Sequence, residues 1–143
     1  MTTQYPLQFL SETTAHSGTQ SDWKTKSEFQ ESVITIPPEF HGPGGGLSPE
    51  DLFNQALTNC FVATFKVYAE NSKLTFNNIV VNSKLNVDLD ANGKPVMKDF
   101  YLHAKIFSPS NKEKSLLLAK KASQAGFILN SVKTNCHFEF EIL

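Results

Sequence analysis

The fold of this chain is decided by residues 48–89, which read SPEDLFNQALTNCFVATFKVYAENSKLTFNNIVVNSKLNVDL. Positions 48–51 combine an N-cap serine, a proline suited to the first helical position, and two acids that favour the positive end of a helix dipole. Apolar residues then recur at spacings of three and four from position 52 to 68, which predicts a helix that ends near residue 70 or 71. They cover more than one stripe, so a buried central helix is expected.

The period of the apolar residues changes to two at Thr75. Polar and apolar side chains alternate as far as Leu89, which predicts a strand with one buried face. The segment Asp90–Pro95 contains an Asn-Gly pair, and the alternation resumes over Met97–Phe107. Asn-Gly between alternating segments is typical of a β-hairpin turn, so residues 75–107 are predicted to form a long hairpin.

The flanking regions complete an α+β order of elements. A second helix is predicted from about Asn111 to Gly126, and a last strand follows in which Cys136 shares one face with Phe138, Phe140 and Ile142. Upstream, three short strands are predicted over 5–10, from residue 23, and over 32–36, where two prolines end the third. We expect one domain over residues 1–143.

A glycine-rich loop, PPEFHGPGGGL at residues 37–47, joins the third strand to the first helix. Such a loop serves either as a connection or as a phosphate cradle. It has neither the Lys-Ser/Thr of a P-loop nor the spacing of a dinucleotide-binding motif, which favours the connection.

The composition excludes several classes of partner. The chain has 143 residues and a formal net charge of -1, without the basic excess that nucleic acids attract. No apolar run reaches the roughly 20 residues of a membrane span, and the first residues lack the features of a signal peptide, so the expected location is the cytoplasm. All 13 basic residues are lysines, so the chain contains no arginine.

Cysteine and histidine residues are few. Cys60 and Cys136 match no metal-binding or Cys-x-x-Cys spacing, so two free thiols are expected. Cys136 alternates with phenylalanines and is expected in the core, whereas for Cys60 both a core position and a functional thiol remain open. The histidines have no metal-like spacing, and no metal or cofactor is expected; they are His16, His41, His103 and His137.

The order of these elements, with the segment from Gly44 to Tyr68 and a cysteine ten residues after Glu50, resembles the OsmC/Ohr family over essentially the whole chain. The resemblance implies an intertwined homodimer that reduces organic hydroperoxides with a pair of thiols. It implies that Cys60 is the peroxidatic cysteine, which attacks the peroxide as a thiolate. It also implies that Glu50 is the glutamate that orients an arginine beside this thiol.

Two parts of that family site are missing here. The stretch Gly126–Ser131 matches the family's resolving-cysteine motif, but glycine stands where the cysteine is expected, and Cys136 lies ten residues further on. The arginine has no counterpart, and Lys24 or Lys26 would replace it only weakly, because lysine lacks the planar fork of a guanidinium. After one attack a sulfenic acid needs a second thiol, which position 126 does not supply.

Two functions therefore remain open. The first is a one-cysteine peroxidase or redox protein that uses Cys60 and a small external thiol. The second is a non-catalytic protein that binds a small hydrophobic ligand at the dimer interface; a scaffold without a ligand is a third, less informative possibility. In either of the first two, Cys60 is expected beside an apolar cavity, lined by Ala56, Leu57, Phe61 and Thr64, while Cys136 is inert.

Overall fold

A computed structural model of the chain describes residues 2–143, which form two compact units, one reaching Leu52 and the other covering Phe53–Leu143. The first unit contains a three-stranded antiparallel sheet of β1 (Glu12–Thr14), β2 (Trp23–Lys26) and β3 (Glu31–Ile34). The prediction of a strand over residues 5–10 is wrong, because the first strand begins at Glu12. Residues 6–10 pair with no strand, and Phe9 is 92% exposed.

The glycine-rich loop is a compact turn held by its own backbone. A short 3-10 helix, Pro38–Phe40, opens it. The amides of Gly42 and Gly44 donate to the carbonyls of Pro37 and Ile36 at 3.1 and 3.2 Å. Gly44 has a φ of 67°, which favours glycine. These amides bond within the turn, in agreement with its role as a connection.

Helix α1 (Pro49–Asn71) starts with a reciprocal capping arrangement. The Asp51 amide donates to Ser48 Oγ at 3.0 Å, and the Ser48 amide donates to Asp51 Oδ2 at 2.9 Å. Each contact satisfies an amide that the first helical turn leaves without a backbone partner. The predicted start and end of this helix are confirmed.

The second unit is built on a three-stranded sheet in the order β4-β5-β6. Strand β4 (Asn78–Leu89) and strand β5 (Pro95–Phe107) form the predicted antiparallel hairpin, with Gly93 at a φ of 76° in its turn. Helix α2 (Lys112–Ala125) then leads, through a 3-10 turn at Leu129–Ser131, to β6 (Asn135–Ile142). Strand β6 pairs with β5 in parallel, a direction that the alternation of its residues did not reveal.

The core of the second unit lies between this sheet and one stripe of α1. Leu57, Phe61, Phe65 and Ala69 recur every fourth residue and are buried. The ring of Phe61 stacks on that of Phe140 in β6, with centroids 5.6 Å apart. On another face of α1, Val67 is 55% exposed. Burial of that face stays a prediction that requires a second copy of the chain.

No helix in the described part of the chain is long and apolar enough to cross a membrane.

Candidate functional site

Cys60 lies on the flank of the buried stripe of α1, beside a cavity. The residue directly precedes Phe61 and is partly buried. The cavity measures about 390 Å³, which lies within the range of sites for small ligands. Its lining consists of Cys60, Ala63, Thr64, Val67, Tyr68, Ala125, Phe127 and Ile128.

The predicted lining of this cavity is right for Thr64 and wrong for the other three residues. Leu57 and Phe61 are fully buried in the core, and Ala56 does not line the cavity. Side chains of one helical face recur at i+3, i+4, i+7 and i+8. Counted from Cys60, these spacings give the four other cavity residues of α1, which are Ala63, Thr64, Val67 and Tyr68. Residues 125–128 come from the end of α2 and the turn after it, and no local signal connects them with Cys60.

The cavity is apolar. None of the described residues that line it carries a formal charge. The hydroxyl of Thr64 donates to the carbonyl oxygen of Cys60 at 2.7 Å, so its proton is already engaged. The described lining is therefore apolar and offers no cation to a thiolate.

Gly126, the position that matches the family's resolving cysteine, lies directly against the Cys60 thiol. It is the C-cap residue of α2. A Cβ atom added to residue 126 would lie 2.5 Å from Cys60 Sγ. The structure therefore brings together the two positions that the resemblance pairs, although one of them carries no side chain.

Cys136 is placed differently. It lies in β6 opposite Phe100, packs against the core, and is partly rather than fully buried. Its thiol donates to the carbonyl of Thr134 at 3.5 Å. Burial raises the pKa of the Cys136 thiol above its ordinary value, so the unreactive thiol form is favoured.

Glu50 lies in the first turn of α1, where a carboxylate favours the helix dipole. Its Oε1 atom is buried and accepts no hydrogen bond from residues 2–143. The pairing of Glu50 with the Cys60 site stays a prediction.

The two lysines considered as substitutes for the arginine form ion pairs within the N-terminal sheet. Lys24 Nζ lies 3.5 Å from Glu31 Oε1, and Lys26 Nζ lies 3.4 Å from Glu12 Oε1. All four side chains are exposed, so each pair contributes at most about 1 kcal/mol to stability.

Two of the histidines pair with carboxylates on the sheet of the second unit. His137 Nε2 lies 3.1 Å from Asp99 Oδ1, and His103 Nε2 lies 3.0 Å from Glu141 Oε2. Among residues 2–143, no group of three or more His, Cys, Asp or Glu side chains is arranged to hold a metal ion.

The sequence matches one family model and is similar to a bacterial protein. The family model described as OsmC-like protein matches residues 42–141. An uncharacterized protein of Acinetobacter baylyi is 28% identical over 115 residues, which cover 77% of this chain and 76% of that protein.

The fold is shared with several solved structures. An OsmC-like protein of unknown function from Vibrio cholerae matches with a TM-score of 0.84 at 17% identity, over 94% of this chain and 99% of that one. An organic hydroperoxide resistance protein from Elizabethkingia anophelis matches with a TM-score of 0.76 at 20% identity, over 98% of each chain. An organic hydroperoxide resistance protein from Legionella pneumophila matches with a TM-score of 0.75 at 19% identity, over 97% of this chain and 98% of that one.

Proposed function

This chain belongs to the OsmC-like protein family, and from that membership we propose that Cys60 reduces small apolar hydroperoxides as a one-cysteine enzyme. Several structural relatives are named as organic hydroperoxide resistance proteins, which supports the class of substrate. The observation that carries the proposal is the position of Cys60 beside an uncharged apolar cavity of about 390 Å³.

The proposed reaction uses a thiol from outside the chain. The Cys60 thiolate attacks one peroxide oxygen, the S–O bond forms, the O–O bond breaks, and the alkoxide leaves and takes up a proton as an alcohol. An external thiol then attacks the sulfenic sulfur, forms a mixed disulfide and releases water. A second external thiol frees Cys60 and leaves as a disulfide. One hydroperoxide and two thiols thus yield an alcohol, a disulfide and water.

The absence of arginine predicts a slow attack of Cys60 on the peroxide. Glu50, the second residue of the implied site, has no arginine of this chain to orient, and the described cavity lining offers no cation. A neighbouring guanidinium ordinarily stabilises a thiolate, and only the thiolate is nucleophilic. The rate is therefore expected to lie well below that of a two-cysteine enzyme with an arginine.

A second candidate function is the non-catalytic binding of a small hydrophobic ligand. The observation that favours it is the same apolar lining, because such a surface binds without any reaction at the thiol. The two candidates differ in their dependence on Cys60. Binding tolerates a serine at position 60, whereas peroxide consumption does not.

The test measures consumption of cumene hydroperoxide by the wild type and by Cys60→Ser, with a monothiol or a dithiol as reductant. We expect turnover in the wild type with either reductant and none in Cys60→Ser. Intact mass after oxidation without reductant should show one or more added oxygens on Cys60. The Cys136→Ser variant is the matched control and should behave as the wild type does.

Two results would contradict the one-cysteine route. A loss of two hydrogens, with a bridge mapped between Cys60 and Cys136, would show that the chain supplies its own resolving thiol. Equal consumption by Cys60→Ser would show that the thiol is not involved. Absence of turnover, with ligand binding retained in Cys60→Ser, would favour the second candidate.

A further inference from the structure

The backbone at position 126 does not itself require glycine. Gly126 has a φ of -65° and a ψ of 134°, an extended conformation that any residue adopts. The reason for glycine at this position must therefore lie in the space around its Cα.

The atom nearest to the place of the missing side chain is the sulfur of Cys60. An added Cβ would lie 2.5 Å from Cys60 Sγ, whereas the next atoms, Leu129 Cδ1 and Thr64 Oγ1, would be 3.3 and 3.5 Å away. Only the contact with the sulfur is shorter than a Cβ atom tolerates, so the sulfur must shift. The sulfur thus lies where a side chain of residue 126 would begin.

The backbone around Gly126 is held in place by several hydrogen bonds. The amide of Asn130 donates to the Gly126 carbonyl at 3.0 Å, and Asn130 Nδ2 donates to the Gln124 carbonyl at 2.9 Å. Ser131 Oγ donates to the Phe127 carbonyl at 2.6 Å. Because these contacts fix both ends of the turn, a side chain at position 126 would displace the sulfur rather than the backbone.

We infer that Gly126 is a positioning residue for Cys60: the missing side chain leaves the space that holds the thiol against the end of α2. Side chains in a helix have few permitted χ1 values, so a displaced sulfur has essentially one other direction to take. Such a movement carries the sulfur away from the end of α2 and changes its position relative to the cavity that Cys60 lines. This inference deepens the proposed function, which rests on the same thiol.

The same geometry makes position 126 suited to a disulfide with Cys60. In a disulfide, the Cβ of one cysteine lies about 3 Å from the Sγ of the other, as the S–S length and ordinary bond angles require. The distance of 2.5 Å between the added Cβ and Cys60 Sγ is shorter than this, and a rotation of the Cys60 side chain supplies the difference. A cysteine at position 126 should therefore form the bridge that the natural chain cannot.

The first experiment measures alkylation of Cys60 by iodoacetamide in Cys136→Ser protein. We expect Gly126→Ala to change the rate by between about twofold and tenfold, because the sulfur loses its present position at a cost comparable to that of an unfavourable rotamer. Ala125→Ser, which adds one atom to the neighbouring residue of the same cavity, is the control and should change the rate less than Gly126→Ala does. A rate that Gly126→Ala leaves unchanged, or changes no more than Ala125→Ser does, would overturn the inference.

The second experiment introduces a thiol with Gly126→Cys in the same background, with Ala125→Cys as the matched control. Diamide takes two hydrogens from a pair of thiols, and intact mass with peptide mapping locates the bridge. We expect rapid bridging between Cys60 and the cysteine introduced at position 126, and at least tenfold slower bridging from position 125. Equal rates, or no bridge from position 126, would overturn the inference.

A stability measurement separates the contact from a general effect of substitution. Gly126→Ala should lower the thermal midpoint when Cys60 is present and lower it less when Cys60→Ala has removed the sulfur. An equal loss in both backgrounds would contradict the role assigned to the sulfur. All three measurements proceed without peroxide, so absence of peroxidase activity would count against the proposed function alone.

Discussion

At the scale of the residue, the two cysteines differ in what surrounds their sulfur atoms. Cys60 borders an apolar cavity, whereas Cys136 packs against the core and donates to the Thr134 carbonyl. Burial raises the pKa of Cys136, which reduces the fraction of thiolate at neutral pH. The cavity gives reagents access to Cys60.

Native-state alkylation should therefore modify Cys60 before Cys136. The measurement is peptide mapping by mass after timed exposure to iodoacetamide at neutral pH. Unfolding in denaturant is the control and should bring the two rates close together, because both environments are then lost. If Cys136 reacts first in the native protein, the assignment of the site to Cys60 is wrong.

At the scale of the element, the start of α1 is defined by a reciprocal cap. Ser48 is 5% exposed, and its hydroxyl and amide exchange hydrogen bonds with Asp51. This start determines where the helix that carries Cys60 begins.

Ser48→Ala should lower the free energy of unfolding by about 1 kcal/mol, the usual cost of losing an N-cap side chain. Urea unfolding followed by circular dichroism measures the change. Ser48→Thr keeps the hydroxyl and should lose less stability than Ser48→Ala. Equal losses in the two variants would mean that packing of the buried serine matters more than its hydrogen bonds.

At the scale of the whole molecule, each unit leaves large apolar side chains exposed. Phe9 and Phe29 in the first unit are 92% and 91% exposed, and Phe127 and Val67 in the second are 79% and 55% exposed. Phe9 and Phe29 line one groove, and Val67 and Phe127 line one cavity, and contiguous exposed apolar patches often mark interaction surfaces. A second copy of the chain is the partner that the family resemblance implies.

We expect a homodimer of twice 15.9 kDa, or 31.8 kDa, by light scattering at micromolar concentration. An obligate dimer should bury more than about 2,000 Å². The double variant Phe9→Lys/Phe29→Lys should weaken it, because a buried lysine without a partner is unfavourable. Asn92→Lys, in the exposed hairpin turn, is the control. A mass near 16 kDa for the wild type would contradict the expected dimer.

The sequence alone determined the features that depend on neighbouring residues. Position 48 caps a helix and the Asn-Gly pair turns a hairpin, because capping and turn formation depend on only a few neighbouring residues. The absence of arginine is read directly from the composition. Through the resemblance the sequence also predicts that position 126 is the place of a missing resolving cysteine, and this stays a prediction. The strand predicted over residues 5–10 failed because alternation without a pairing partner does not make a sheet.

Only the tertiary structure decided the parallel pairing of β5 with β6 and the contact between Gly126 and the Cys60 sulfur. These two residues are 66 positions apart in the chain. Their contact depends on how α2 and the turn after it pack against α1, and such long-range packing leaves no periodic signal in either segment. Helical spacing counted from Cys60 gives the cavity residues Ala63, Thr64, Val67 and Tyr68. Phe127 and Ile128 join them only when the chain is folded.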